Sequence, residues 1–280
     1  MASDVNPNSQ TGRDFVVMGI VNVTPDSFSD AGRYFDPSAA VEHGLALEAE
    51  GAAILDVGGE STRPGADPVE GEEESRRVVP VIEALVAAGV RAQISVDTMK
   101  AEVAERALAA GATIVNDVTA LRASPQLAEL TAAAGAQLCL MHMQNPPNQP
   151  PVPPRYDDIV AEVKSFLEER MAFAVAHGVP EEKIILDPGF GGGSFGKDLA
   201  QNLELLRRLP ELVALGRPVL VGTSRKGFLG ELTGRPVDER VAATIATTVI
   251  AYEHGARMFR VHDVAPLNDA LKVTAATVAG

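Results

Sequence analysis

Several polar clusters interrupt the apolar stretches of this chain, and each carries residue types that could do chemistry. Ser95-Val96-Asp97-Thr98 and Asn116-Asp117 each close a short apolar run. A carboxylate beside an amide can read a ring that presents adjacent N–H groups and ring nitrogens. Either residue could equally be a helix N-cap. Asp187-Pro188-Gly189 brings a further carboxylate. In Arg260-Val261-His262-Asp263 the arginine and histidine alternate, so on a strand they share one face. With Arg63 they could form a site for phosphate or pyrophosphate. His262 alone would read as a satisfied core histidine, and Arg260 two residues away changes that reading.

Three loops complete the set. Gly19–Asp30 breaks from an apolar run into Asn22-Val23-Thr24-Pro25-Asp26-Ser27-Phe28, a turn composition that leaves Phe28 unexplained. Asp56-Val57-Gly58-Gly59-Glu60-Ser61-Thr62-Arg63-Pro64-Gly65 pairs two glycines, which permit close backbone approach, with a cation suited to clamping an anion. A flexible turn with a solvated arginine would look the same. Gly222-Thr223-Ser224-Arg225-Lys226-Gly227 reads, in isolation, as a solvated basic turn.

These groups need elements to position them. Eight near-continuous apolar runs recur: Phe15–Val23, Ala53–Val57, Gln93–Val96, Thr113–Val115, Gln137–Met141, Lys183–Leu186, Pro218–Val221 and Met258–Val261. Such runs fit a parallel sheet buried on both faces. Helical segments lie between them. Asp36-Pro37 and Ser124-Pro125 offer an N-cap followed by proline, and Thr98 can cap a helix running to Ala110. Ile159, Val163, Phe166 and Leu167 make one helical stripe. Gly51, Gly89, Gly111, Gly135, Gly178 and Gly255 mark helix ends. Asn22 to Arg260 spans 238 residues over seven intervals, a mean of 34, close to one βαβ unit each. The runs end on Asn22, Asp56, Asp97, Asn116 with Asp117, His142, Asp187, Ser224 to Lys226, and Arg260 with His262. A (β/α)₈ TIM barrel gathers such ends around one mouth, whereas an open doubly wound sheet would spread them along a crevice. The expectation is an α/β barrel forming one domain over residues 14–280, behind a polar N-terminal extension of residues 1–13. Asn145–Pro154, rich in proline, falls between the fifth strand and its helix and reads as a long βα loop.

Composition excludes several classes. The net charge is −14, which repels a phosphate backbone, and aromatic residues are 4% with no tryptophan, so no nucleic acid is expected as partner. A few local arginines could still bind a small anion. Hydrophobic residues at 46% are enough for a core. The lone Cys139 allows no intrachain disulfide and reads as a buried thiol. No apolar run reaches membrane-spanning length, and the N-terminus lacks the features of a signal peptide, so the expectation is a soluble cytoplasmic protein without a membrane partner.

Taken together, Asn22–Asp30, Gly58–Gly65, Ser95–Thr98, Val115–Val118, Leu186–Gly189, Ser224–Lys226 and Arg260–Val264 closely resemble, in order, the motifs of the dihydropteroate synthase family, which sulfonamides target. The resemblance runs from Met18 to about Val264. It implies a (β/α)₈ barrel that condenses 6-hydroxymethyl-7,8-dihydropterin pyrophosphate with p-aminobenzoate, assisted by Mg²⁺, and commonly a homodimer. It implies that Asp97, Asn116, Met141, Asp187 and Lys226 bind the pterin, with Asp97, Asp187 and Lys226 serving catalysis. It implies that Asn22, Arg63, Arg260 and His262 hold pyrophosphate, with Asn22 at the metal. Phe28, Thr62, Pro64, Phe195, Ser224 and Lys226 would shape the p-aminobenzoate site, and Thr24–Asp30 and Ser61–Gly65 would be two mobile loops.

Two departures stand out. Where the family has Asp-Pro-Gly-x-Gly-Phe-Gly-Lys, this chain reads Asp187-Pro188-Gly189-Phe190-Gly191-Gly192-Gly193-Ser194-Phe195-Gly196-Lys197, an insertion best aligned as Gly192-Gly193-Ser194. It is either a neutral extension or a device that moves Phe195. Ala31 stands where glycine is common. Two other classes remain open. Pterin-dependent methyltransferases share the barrel but would not need Ser61–Pro64 or Ser224–Lys226. A catalytically silent pterin-binding paralogue is the non-enzyme reading.

Overall fold

The structure is a computed structural model and describes residues 14–23, 37–60, 67–145 and 153–278. The expected loops Thr24–Asp30 and Ser61–Gly65, with Phe28, Thr62, Arg63 and Pro64, lie outside the described residues, as do residues 1–13, Ala31 and Asp36.

Eight parallel strands form the sheet: β1 (Val16–Asn22), β2 (Ile54–Gly58), β3 (Gln93–Asp97), β4 (Ile114–Asp117), β5 (Gln137–Met141), β6 (Ile184–Asp187), β7 (Leu220–Val221) and β8 (Met258–Val261). Each pairs with its sequence neighbour from β1 to β6, β8 joins β1 to β7, and a parallel bridge from Leu186 to Val219 brings β6 to β7. The sheet thus curls into a nearly closed barrel. Helices α1 (Pro37–Ala49), α2 (Gly71–Ala87), α3 (Ala101–Ala110), α4 (Leu127–Ala134), α5 (Ile159–Ala176), α6 (Leu199–Arg207), α7 (Pro210–Val213), α8 (Gly227–Thr233), α9 (Val241–Glu253) and α10 (Val264–Val278) follow the strands in turn. The expected βα alternation holds, and every expected strand is present within two residues at each end.

Period-two alternation divides each strand between two environments. Outward residues such as Val17, Leu55, Val96, Val115, Leu138, Leu186 and Phe259 pack under the helices. Inward residues Val16, Met18, Ile54, Ile114, Cys139, Ile185, Leu220 and Met258 make a separate apolar floor inside the barrel. Continuing the same inward stripes toward the C-terminal ends reaches Asn22, Asp56, Asp97, Asn116, Met141, Asp187 and Arg260. A parallel sheet places all of these ends at one rim, so the inner face is apolar below and polar above.

The local signals largely hold. The six expected glycines all adopt left-handed φ at helix ends. Ile159, Val163 and Leu167 are buried on α5, whose start is capped by Asp158 accepting from Val160 and Ala161. Two caps differ. Thr98 Oγ1 accepts from the Lys100 N–H at 3.2 Å, one turn ahead of α3, so the hydroxyl closes a turn and does not cap the helix. Ser124-Pro125 likewise opens a turn, and α4 begins at Leu127.

Cys139 is fully buried in the floor, and burial pushes its thiol well above the ordinary range. An aromatic disulfide reagent should therefore react with the native protein at least about 100-fold more slowly than with the protein in denaturant, since reaction waits on opening. Native and unfolded rates within a few-fold of each other would contradict this placement.

Candidate active site

One guanidinium organises the rim. Arg260, on β8, donates from Nε to Asp56 Oδ2 at 2.6 Å and from one Nη to Asp97 Oδ2 at 2.6 Å. Asn116 Nδ2 donates to the same Asp56 oxygen at 3.1 Å. Four strands are thereby tied by one polar chain, Asn116–Asp56–Arg260–Asp97. Burial alone would lower the Arg260 pKa, but Asp56 and Asp97 outweigh it and push the guanidinium above its ordinary value. The two contacts use two of its five N–H groups. Asp56 is fully buried, and its Oδ1 has no hydrogen-bond partner among the described residues.

Asp97 is held differently. Burial pushes its carboxyl up to about 7, against the lowering pull of Arg260 and with further raising by Asp56. Gly58 faces it across the sheet, and a Cβ there would come within 3.3 Å of the Asp97 Cβ. On β6, Asp187 accepts from the Gly189 N–H at 2.7 Å through Oδ1. Burial raises its carboxyl, while that hydrogen bond, Lys226 and Arg260 lower it.

Beyond β7 the basic turn is built from strain and capping. Arg225 has φ +57, unusual for a non-glycine residue. Its guanidinium Nε donates to Asp263 at 2.9 Å, its N–H to Thr244 Oγ1 at 3.1 Å, and its carbonyl accepts from Arg240 at 3.1 Å. These contacts hold Ser224 and Lys226 on either side. Ser224 Oγ lies 3.0 Å from His262 Nδ1 and accepts from the His262 N–H at 3.2 Å. Burial, then Arg260 and Arg225, push His262 down to about 4, so it enters the site as a neutral ring. Lys226 is pulled down to about 8 by burial and Arg260, with Asp187 and Asp97 opposing. Its Nζ sits 3.7 Å from the centroid of the Phe195 ring, a cation–π contact.

Phe195 also packs against Val118, Met141 and Met143. The added Gly192-Gly193-Ser194 are taken up by a 3₁₀ turn over Gly193–Phe195, with Gly192 exposed and the Ser194 carbonyl accepting from the Asn145 N–H at 3.2 Å. The insertion therefore leaves Phe195 beside Lys226 and Met141.

Asn22, Asp97, Asn116, Met141, Asp187, Phe195, Ser224, Lys226, Arg260 and His262 thus converge on one rim. Two strand-end residues do not join it. Asp117 turns away and accepts from Thr119 and Leu121, so it is a loop cap. His142 is buried against Phe166 and meets Lys197 Nζ at 2.9 Å. Asp56 was visible in the sequence only as a strand-end carboxylate, and its place as the partner of both Asn116 and Arg260 had no sequence signal.

The chain matches the family model described as pterin binding enzyme over residues 18–262. Dihydropteroate synthase from Mycobacterium leprae is 49% identical over 267 residues, covering 93% of this chain and 92% of that protein. The Xanthomonas albilineans dihydropteroate synthase solved with 4-aminobenzoic acid superposes with a TM-score of 0.87 at 52% identity, covering 95% of this chain and 93% of that one. The same enzyme in complex with 7,8-dihydropteroate gives a TM-score of 0.84 at 49% identity, covering 95% and 94%. With this barrel, this rim and these relatives, the chain belongs to the pterin-binding enzymes, and among them to the dihydropteroate synthase family.

Proposed function

We propose that this protein is a transferase that joins the methylene of 6-hydroxymethyl-7,8-dihydropterin pyrophosphate to the amine of p-aminobenzoate, giving 7,8-dihydropteroate and pyrophosphate in folate synthesis. The observation that carries the reading is the inward rim set of Asp56, Asp97, Asn116, Asp187 and Lys226, with Arg260 and the Ser224–His262 pair beside it.

The carboxylates Asp97 and Asp187 accept from pterin N–H groups, and the Asn116 amide can both donate and accept. Met141 forms an apolar wall. Cleavage of the C–O bond to pyrophosphate leaves an electron-deficient methylene, which the nearby carboxylates stabilise. The aniline nitrogen of p-aminobenzoate attacks that carbon, forming the C–N bond, and the resulting ammonium gives up one proton to water or the departing pyrophosphate, so orientation matters more than a strong base. Phe195, Ser224 and Lys226 bound the aryl amine, and the family resemblance assigns Phe28, Thr62 and Pro64 to the same site. Arg63 and the unused N–H groups of Arg260 receive the leaving pyrophosphate, while His262 contributes hydrogen bonding and no charge.

Mg²⁺ fits as a cofactor held lightly by the protein. Asn22 ends β1 on the inward stripe and offers one amide oxygen, and among the described residues no cluster of three His, Cys, Asp or Glu could cage a metal. Mg²⁺ accepts such a site when phosphate oxygens and water complete its shell. Bound there, it would neutralise charge on the leaving group. We also propose a homodimer and a cytoplasmic setting on the strength of the family. No helix among the described residues is long and apolar enough to cross a membrane.

The direct test is turnover of the two substrates, read as dihydropteroate formed and pyrophosphate released. Pterin binding without product would favour the silent paralogue. Arg63→Ala should weaken binding of the pyrophosphate substrate by at least about 1.5–3 kcal/mol, as for a charged hydrogen bond, while leaving the fold intact. Arg260→Ala should weaken it too, but with a loss of stability, because Arg260 also holds Asp56 and Asp97. Wild-type kinetics for both variants would mean the anion site lies elsewhere.

Asp97→Asn and Asp187→Asn should each impair pterin binding or turnover in a folded protein. Because the Asp97 carboxyl sits near 7, wild-type pterin affinity should rise as pH is raised through about 7 and the acceptor becomes ionised. Calorimetry should show that component missing in Asp97→Asn, and an unchanged pH profile with unchanged turnover would count against that residue. Deleting Gly192-Gly193-Ser194 should preserve folding. If the inserted turn shapes the aryl pocket, the ratio of sulfonamide inhibition constant to p-aminobenzoate KM should shift about 2- to 13-fold, the worth of one aromatic contact. An unchanged ratio in a competition assay would make the insertion a neutral spacer.

A further inference from the structure

Lys197 is 3% exposed and makes no ion pair among the described residues, yet every proton of its ammonium group has a partner. Its Nζ donates to the Gly189 carbonyl at 2.8 Å and the Phe195 carbonyl at 3.0 Å, and lies 2.9 Å from His142 Nδ1. Burying a lysine against neutral groups is costly, so the three contacts have to return something.

What they join is informative. Gly189 follows the Asp187 turn with φ +69, packed so closely that a Cβ would lie 1.8 Å from the His142 carbonyl oxygen. Phe195 carries the ring that covers Lys226. The segment between them contains all three inserted residues. One nitrogen therefore pins the main chain on both sides of the insertion. Asn202 secures the flanks, accepting from the Gly191 N–H at 2.8 Å and donating to the Lys197 carbonyl at 3.3 Å.

The tether tolerates a change of protonation. Burial pulls Lys197 down to about 7 and, with the charges of Lys197 and Arg122, holds His142 neutral. A lysine ammonium donates three hydrogen bonds. The neutral amine can donate to both carbonyls and accept from a His142 Nδ1–H tautomer, keeping all three contacts.

We propose that Lys197 is a positioning residue for aryl-amine specificity: by tying the Gly189 and Phe195 carbonyls to one nitrogen, it makes the inserted residues bulge outward and keeps the Phe195 ring on Lys226. This rests on the assignment of that pocket to p-aminobenzoate.

The test is a double-mutant cycle of Lys197→Met and Phe195→Ala. Lys197→Met should raise the KM for p-aminobenzoate about 3- to 10-fold while changing the KM for the pterin substrate less than about 2-fold. In the Phe195→Ala background it should add less than about 2-fold. Parallel rises in both KM values, or full additivity, would overturn the proposal. Should Lys197→Met fail to fold, Lys197→Gln, which keeps two donors, enters the same cycle. The chain has no tryptophan, so Phe195→Trp supplies a single reporter independent of turnover. Adding the Lys197 substitution should increase acrylamide quenching of that tryptophan at least about 2-fold. Unchanged quenching would overturn the tether even if the wild-type protein made no dihydropteroate, an outcome that would refute the assigned reaction and leave the tether to this measurement.

Discussion

Two carboxylates and one guanidinium set the terms for the rest of this molecule. Asp56 and Asp97 point into the barrel, where water is scarce and like charges repel strongly. Arg260 lies between them and pairs with one oxygen of each. Breaking such a buried arrangement typically costs about 3–5 kcal/mol, because the remaining charges are left without a partner. The arrangement is possible only because parallel strands β2, β3 and β8 deliver their C-terminal ends to one rim with inward parity preserved. The apolar floor below it, from Val16 around to Met258, supplies the stability that the polar rim spends.

The same arrangement explains how an acidic protein can hold an anionic substrate. The net charge of −14 belongs to the surface as a whole, while the rim holds Arg260 and Lys226 among its carboxylates. Local fields govern binding at close range. The ring of acceptors suits a heterocycle rich in N–H groups, and the uncommitted edge of Arg260 suits the phosphates. Lys226 serves both halves, since it feels Asp187 and Asp97 on one side and carries the Phe195 ring on the other.

Much of this was legible in the sequence, for physical reasons. A parallel barrel writes its strands as short apolar runs, and the polar residue closing each run marks the rim. That logic alone places Asn22, Asp97, Asn116, Asp187 and Arg260 together. It failed where a residue's role depends on a partner far along the chain. Arg260 read as part of an anion site, and its further contacts to Asp56 and Asp97, which span 204 and 163 residues, had no local signal. His262 read as part of an anion site, and that burial and the neighbouring arginines make its ring neutral there had no sequence signal. Asp117 stands next to Asn116, and the pleat turns it away to cap a loop. Lys197 gave no signal beyond its place in a glycine-rich motif, because its partners are main-chain carbonyls and a histidine.

The central claim is that Arg260 is the shared cation of a carboxylate pair that the barrel forces inward. Arg260→Met removes the cation with little change in volume. The folded-state pKa of Asp97 lies above the usual unfolded carboxylate value, so the cost of losing its cation is small where the carboxyl is protonated and grows as pH rises through about 7. Denaturant unfolding of wild type and Arg260→Met at about pH 5 and about pH 8 measures this directly. The account predicts a stability deficit clearly larger at the higher pH, by about 1 kcal/mol or more, with that pH-dependent increment largely removed by adding Asp97→Asn while the share due to Asp56 remains. An equal deficit at both pH values, or one that Asp97→Asn deepens, would contradict it.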